Sequence, residues 1–185
     1  MARIDASPQA GGASTPMWVS HRPAMAAAAV ALSKAVYQET RLTYREAEAA
    51  RIRTAQINGC MICGNWRLNR DLPDYLQRVE PGTRPNLNAA RGAEPTPEFY
   101  EAIEKWRGSD LFSERERLAI EFSEKIGQQP RELPQDEDLW ARLHARFDDG
   151  EIVDLTYSIT AWIATGRFLH VLELDTICPA APDMG

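Results

Sequence analysis

The stretch EAARIRTAQINGCMICGNWR, Glu48 to Arg67, decides how this chain is read. Its first half is rich in alanine, the best helix former. It follows Thr43, Tyr44, Arg45 and Glu46, a capping box in which the Thr43 side chain accepts from a backbone N–H while Glu46 reaches back. That pattern predicts a helix over about 44–58. Asn58 and Gly59 end it, because glycine tolerates the left-handed conformation at a helix C-terminus. Cys60 follows at once. The segment CMICGNWRLNRDL, 60–72, reads as another helix with Ile62, Trp66 and Leu68 turned inward, despite the weakening effect of Gly64.

Working outward, the Ala-rich segment from Pro23 to Tyr37 predicts a helix whose first turn suits proline. From Pro73 to Pro97 the chain carries Pro81, Pro85, Pro95, Gly82 and Gly92, too broken for a long element, and reads as a connecting excursion. Thr96, Pro97 and Glu98 then start a helix to about Trp106. Ser113 to Glu116 is a second capping box, followed by Leu118, Ala119, Phe122 and Ile126 at helical spacing, with Gly127 as the stop. Leu139, Leu143 and Phe147 mark a further short helix. The run EIVDLTYSITAWIATGRFLHVLEL, 151–174, predicts one or two helices apolar on most faces, a pattern that suggests burial between subunits. Val153 to Thr160 is the one β-branched stretch, and no segment repeats the two-residue alternation of a sheet. The expectation is a single all-α domain of six to eight helices over 18–178, with loose tails at 1–17 and 179–185.

The composition narrows the function. The chain has 185 residues with 21 Lys and Arg against 27 Asp and Glu, a formal charge of −6, and 44% hydrophobic residues including five Trp. It can bury a core without cross-links, and its acidic balance argues against nucleic acids and anionic membranes as partners. The apolar run Ala24 to Leu32 is far shorter than the roughly 20 residues a bilayer span requires, so a soluble, cytoplasmic protein is expected. Three cysteines, Cys60, Cys63 and Cys178, argue against a secreted disulfide framework.

Cys60 and Cys63 are therefore the chemical signal. At the first turn of a helix the two sulfurs share one side, and the unpaired N–H groups there favour thiolate. One sulfur can attack a peroxide or disulfide and the other resolve the sulfenic acid or mixed disulfide. The same pair could be half a zinc site or plain packing, but zinc would have to recruit Cys178 and one of His21, His144 or His170, and no second close ligand pair exists. Phosphate loops, nucleophile-elbow serines and paired-His metal motifs are absent from the sequence.

Glu48, twelve residues before Cys60, followed by Gln56, Ile57, Asn58, Gly59 and Cys60 to Cys63, resembles the signature of the carboxymuconolactone decarboxylase superfamily, in particular its alkylhydroperoxidase D (AhpD-like) branch. Phe112 to Phe122 and Gly150 to Leu155 resemble later helical stretches of that family, so the likeness covers most of residues 20–175. The resemblance implies an all-α fold that assembles into trimers or hexamers, and an antioxidant thiol peroxidase in which Cys63 attacks the hydroperoxide and Cys60 resolves it. Electrons would come from a thiol or dithiol reductant, with no further cofactor or metal. One position departs from the pattern. Where peroxidases of the family carry a relay histidine four residues after the second cysteine, this chain has Arg67, which cannot accept and return a proton.

At 1.5 Å per residue Glu48 lies ~15 Å before the Gly59 turn and Arg67 ~10 Å after it, so an antiparallel fold-back predicts a Glu48–Arg67 ion pair beside the sulfurs. On a regular helix Arg67 would also share a face with Cys63 and hold its thiolate by charge. His170, on the apolar C-terminal run, is the best substitute relay, although a satisfied core or interface histidine is the simpler reading. Trp66 is placed to shape an apolar pocket, although ordinary core packing is the simpler reading, and Cys178 is assigned no catalytic task. Two alternatives stand beside the peroxidase: a decarboxylase of the same superfamily working by proton transfer, and a non-enzymatic helical assembly whose thiols form a regulatory disulfide.

Overall fold

A computed structural model describes residues 2–5, 17–87 and 91–175. Among these residues the chain is all-helical, with nine α-helices and no strand. They are α1 (Met17–His21), α2 (Pro23–Gln38), α3 (Tyr44–Asn58), α4 (Met61–Asn65), α5 (Leu68–Val79), α6 (Pro97–Ala102), α7 (Glu114–Gln128), α8 (Glu137–His144) and α9 (Asp149–Val171). A 3₁₀ segment, Ile103–Gly108, continues α6.

The centre of the fold is α3, buried on nearly every side although its sequence is polar. It runs parallel to α7. Arg45 pairs with Glu116 and, eight residues on, Arg53 pairs with Glu124, while Arg115 returns the contact to Glu46. A constant sequence offset between successive pairs requires parallel axes. Helix α9 joins them in the same direction, with Glu151 on Arg115 near its start and the Trp162 carbonyl accepting from Asn58 Nδ2 at the far end of α3. Three positive helix ends therefore crowd together. Each is closed by a capping box, Thr43 with Glu46, Ser113 with Glu116 and Asp148 with Glu151, which sets carboxylates against the dipoles. Leu118, Phe122, Leu139, Leu143, Leu155 and Ile159 fill the space between α3, α7, α8 and α9.

At the opposite end of this trio the α3 C-terminus meets the second half of α9. Gly59 has φ 69°, the left-handed conformation expected from the sequence. Gly166 of α9 lies so close to Asn58 that a built Cβ would stand 2.5 Å from Asn58 Nδ2. A side chain there would push α9 away from the Cys-x-x-Cys turn.

Three details differ from the sequence reading. The helix predicted over 60–72 breaks at Trp66 and Arg67, both extended, and so becomes α4 and α5. Pro73 lies inside α5 as its sixth residue, so the excursion begins after Val79 and not at Pro73. Gly127 is helical, and α7 ends at Gln128. The β-branched run of Val153 to Thr160 is helical, as the sequence reading expects, within the single helix α9. The break and the one-turn helix α1 raise the count above six to eight. Of the expected N-terminal tail, residues 1 and 6–16 lie outside the described residues. Arg3, however, donates its backbone N–H to the Leu172 carbonyl and pairs with Glu173. Residues 176–185, which hold Cys178 at the expected end of the domain and the whole expected C-terminal tail, also lie outside the described residues.

Candidate active site

Cys60 is the N-cap of α4 and Cys63 lies within its single turn. The two sulfurs are joined in a disulfide, with Cα atoms 5.3 Å apart. Their surroundings differ. Cys60 is buried, and its Sγ accepts from the Cys63 backbone N–H at 3.3 Å. Cys63 is half-buried and lines a cavity of about 190 Å³. The cavity lies between α2, α4 and α9, with Tyr37, Trp66, Tyr75, Trp162 and Leu169 among its walls. The Tyr37 ring stands 5.1 Å from that of Trp66 and 6.3 Å from that of Trp162. The Tyr37 phenol is pushed up to about 12, chiefly by burial.

Among the described residues the cation in the wall of this cavity is Arg51 from α3. Its Nε donates to Glu48 Oε1 at 2.6 Å and its Nη2 to Glu48 Oε2 at 3.0 Å. Nη1 donates to the Cys63 carbonyl at 2.6 Å, and Nη2 also donates to the Trp66 carbonyl. The pair is buried, with side-chain exposures of 4% for Arg51 and 0% for Glu48. Burial works against the guanidinium charge, but Glu48 outweighs it and the Arg51 pKa is raised. Glu48 also accepts from the Tyr100 hydroxyl at 2.7 Å and from Leu68 N at 3.5 Å. With four donors on its two oxygens, Glu48 anchors Arg51, and Arg51 in turn holds the carbonyls at both ends of the Cys63–Trp66 turn.

The predicted Glu48–Arg67 ion pair does not form. Arg51 occupies Glu48, and the chain is extended at Arg67, which is the N-cap of α5 rather than a residue one turn beyond Cys63. The Arg67 backbone N–H donates to Asp71 Oδ2 at 2.6 Å, fixing the break. Its guanidinium lies 4.0 Å from the centre of the Tyr100 ring and donates to the carbonyls of Gly64 and Trp66. Burial, and then Arg51, lower its pKa. Arg67 thus makes no hydrogen bond to Glu48; it stacks on Tyr100, which donates to Glu48, and shares the Trp66 carbonyl with Arg51.

His170 sits against the turn from the other side. A Cβ built on Gly59 would stand 3.3 Å from both Cε1 and Nε2 of the imidazole. Its Nδ1 lies 3.1 Å from Asp175 Oδ2, and the same carboxylate oxygen accepts from Met61 N at 3.4 Å. The imidazole is half exposed, so it is neither a core residue nor remote from the cysteines. Among the described residues no group of three or more His, Cys, Asp or Glu converges on a metal position.

Sequence reasoning missed Arg51 and Tyr100. The first had a signal: Glu48 and Arg51 are opposite charges three residues apart, hence neighbours on one helix face, in a segment whose other residues are largely alanine. Tyr100 had none, because a loop that no local pattern orients brings it to α3.

No family model matches the chain. The Escherichia coli protein YnjA, itself uncharacterized, is 36% identical over 73 residues, a stretch covering 40% of this chain and 39% of YnjA. An Agrobacterium tumefaciens crystal structure matches with a TM-score of 0.67 at 21% identity, over 94% of this chain and 96% of that one. That protein is described as of unknown function and suggested to be the antioxidant defence protein AhpD. The chain shares its fold. Among the described residues no helix is long and apolar enough to cross a membrane.

Proposed function

We propose that the protein is an AhpD-like thiol peroxidase that reduces hydroperoxides through Cys63 and Cys60. The observation that carries this reading is the asymmetry of the pair: one sulfur is buried, and the other opens onto an apolar cavity beside a buried guanidinium. A thiolate at Cys63 attacks the terminal oxygen of ROOH, the O–O bond breaks, and RO⁻ leaves to take a proton from water. The Cys63 sulfenic acid then meets the Cys60 thiol, the disulfide forms and water departs. A dithiol reductant restores both thiols by exchange and leaves as its own disulfide.

Glu48 and Arg51 set the positive field at the turn, and Arg67 fixes Tyr100 on Glu48. A reducing compartment such as the cytoplasm suits this cycle, because both thiols must be regenerated. Homo-oligomers are part of the proposal. Val153, Tyr157 and Val171 present large apolar surfaces on α9, exposed by 61%, 61% and 70%. Sedimentation should give a multiple of the 20.8 kDa chain.

The test is turnover. Reduced protein, an organic hydroperoxide and a dithiol such as dithiothreitol should consume peroxide through many cycles, and Cys63→Ser should abolish consumption. One stoichiometric oxidation with no regeneration by any dithiol would favour a sensor instead. No oxidation at all would revive the decarboxylase.

A further inference from the structure

Backbone geometry alone would ionise the wrong sulfur first. Cys60 is the N-cap of α4, and its Sγ accepts from the Cys63 backbone N–H at 3.3 Å. A hydrogen bond of that kind favours the charged form, so a thiol at a helix N-cap is the more acidic one. With nothing to oppose it, Cys60 would hold the thiolate, and the order of attack and resolution would be reversed.

Two features at the Cys60 end oppose that order. Cys60 is only 2% exposed, and burial disfavours a thiolate. The second feature is Asp175, a buried carboxylate just beyond the end of α9, whose Oδ2 accepts from Met61 N at 3.4 Å. Met61 N is four bonds from Cys60 Sγ, which places this oxygen within about 9 Å of the sulfur. His170 holds the same oxygen, with Nδ1 at 3.1 Å, and packs the opposite edge of its ring against Gly59. Carboxylate and imidazole thus clasp the turn at residues 59 and 61, on either side of Cys60. Two other charged side chains at this end are engaged elsewhere: Arg167 donates to Asn58 Oδ1 and the Gly127 carbonyl, and Glu173 pairs with Arg3. At the Cys63 end the charge has the opposite sign, because Arg51 donates to the Cys63 carbonyl.

We propose that Asp175, held by His170, is a positioning residue that keeps Cys60 protonated in the reduced protein and so leaves the attacking thiolate to Cys63. The inference rests on the reading that Cys63 attacks and Cys60 resolves, and it names what fixes that order. One negative charge at 9 Å, with an effective dielectric near 20, lowers the ionisation constant of a thiol by about tenfold or more. Attack on the peroxide removes the Cys63 charge, after which Cys60 ionises more readily. Its sulfur then displaces hydroxide from the Cys63 sulfenic acid, and the released proton and hydroxide leave as water.

The test is a pH titration of the reduced full-length protein, isotope-labelled at the cysteine Cβ carbons, whose NMR signals move when the sulfurs ionise. Cys60→Ser and Cys63→Ser assign the signals. In the parent the Cys63 ionisation constant should exceed that of Cys60 at least tenfold. Asp175→Asn keeps an oxygen for the Met61 N–H and removes the charge; it should raise the Cys60 constant at least threefold and move that of Cys63 by less. Asp175→Glu, which keeps the charge, should leave the Cys60 constant within twofold of the parent.

A Cys60 constant unmoved by Asp175→Asn, or equal changes at both cysteines, would overturn the proposal. So would a parent protein in which Cys60 is the more acidic thiol, a reading that needs no substitution at Asp175 and stands even where the variants fail to fold. The titration uses no peroxide. The expected Cys60 shift in a protein that turns over no hydroperoxide would refute the peroxidase reading alone, and turnover with an unmoved Cys60 would refute the role of Asp175 alone.

Discussion

Replacing Arg51 by methionine should unfold much of what holds the active-site turn, and the size of the effect follows from the burial of its partner. Glu48 is fully buried, so the substitution leaves a carboxylate with only Tyr100 and the Leu68 N–H as donors, and frees the Cys63 and Trp66 carbonyls. Breaking a buried pair by removing one partner costs about 3–5 kcal/mol. Coulomb attraction of about 4 kcal/mol for unit charges 4 Å apart, at an effective dielectric of 20, is consistent with that range. A single domain has only about 5–15 kcal/mol to lose. With a urea slope near 2 kcal/mol per molar, the unfolding midpoint of Arg51→Met should fall by roughly 2 M. The double variant Glu48→Gln with Arg51→Met removes both charges and should recover about 2 kcal/mol or more relative to the sum of the single changes. Urea titrations of the oxidised proteins, followed by far-ultraviolet circular dichroism, give both numbers. A single-variant loss under about 1 kcal/mol, or strict additivity in the double variant, would refute the view that Glu48 and Arg51 act as one buried unit.

Further outcomes follow from the same geometry. Tyr100→Phe removes a donor from buried Glu48 and should destabilise the protein by about 1–3 kcal/mol in the same titration, whereas Tyr37→Phe, whose hydroxyl makes no comparable bond to Glu48, should cost less. Gly59→Ala must hold alanine at φ 69° with its methyl 3.3 Å from the His170 ring; about 1–2 kcal/mol of stability should be lost, and Gly59→Ala in a His170→Ala background should cost less. For pH, burial raises the Glu124 carboxyl but hydrogen bonds from Arg107 and Trp106 outweigh it, so its folded pKa is lowered. A lowered carboxyl contributes stability above its unfolded pKa, about 4.3, and loses it as pH falls through the folded value. Glu124→Gln should therefore be less stable than the parent at pH 7 by a margin that shrinks steadily below about pH 4, measured by thermal melts.

Local signals in the sequence anticipate much of this fold. The capping boxes at Thr43 and Ser113 and the left-handed Gly59 lie where pattern places them, because caps and turns are set by a few adjacent residues. The break at Trp66 and Arg67 is different. CMICGNWRLNRDL carries no strong stop, and the extended backbone is held there by Arg51 on the Trp66 carbonyl and by Asp71 on the Arg67 N–H. The first of these contacts comes from another helix, which no local window contains. Misreading the break also misplaced Arg67, since a continuous helix would have put it on the same face as Cys63. Pro73 misled for a related reason: α5 begins at Leu68, so proline removes only one hydrogen bond and the Leu68, Leu72 and Leu76 face still packs. In the site, Cys60, Cys63 and Glu48 come together around the turn, and the cation at their centre is Arg51.

The central claim is that Cys63 is the sulfur that meets the peroxide. Reduced Cys60→Ser and Cys63→Ser variants, each treated with stoichiometric cumene hydroperoxide in the presence of dimedone, test it by intact mass and peptide mapping. Cys60→Ser should carry a dimedone adduct on Cys63, because the sulfenic acid forms and its resolving partner is absent, and Cys63→Ser should carry none on Cys60. An adduct on Cys60 of the Cys63→Ser protein, with Cys63 unmodified in the other variant, would reverse the assignment and contradict the account.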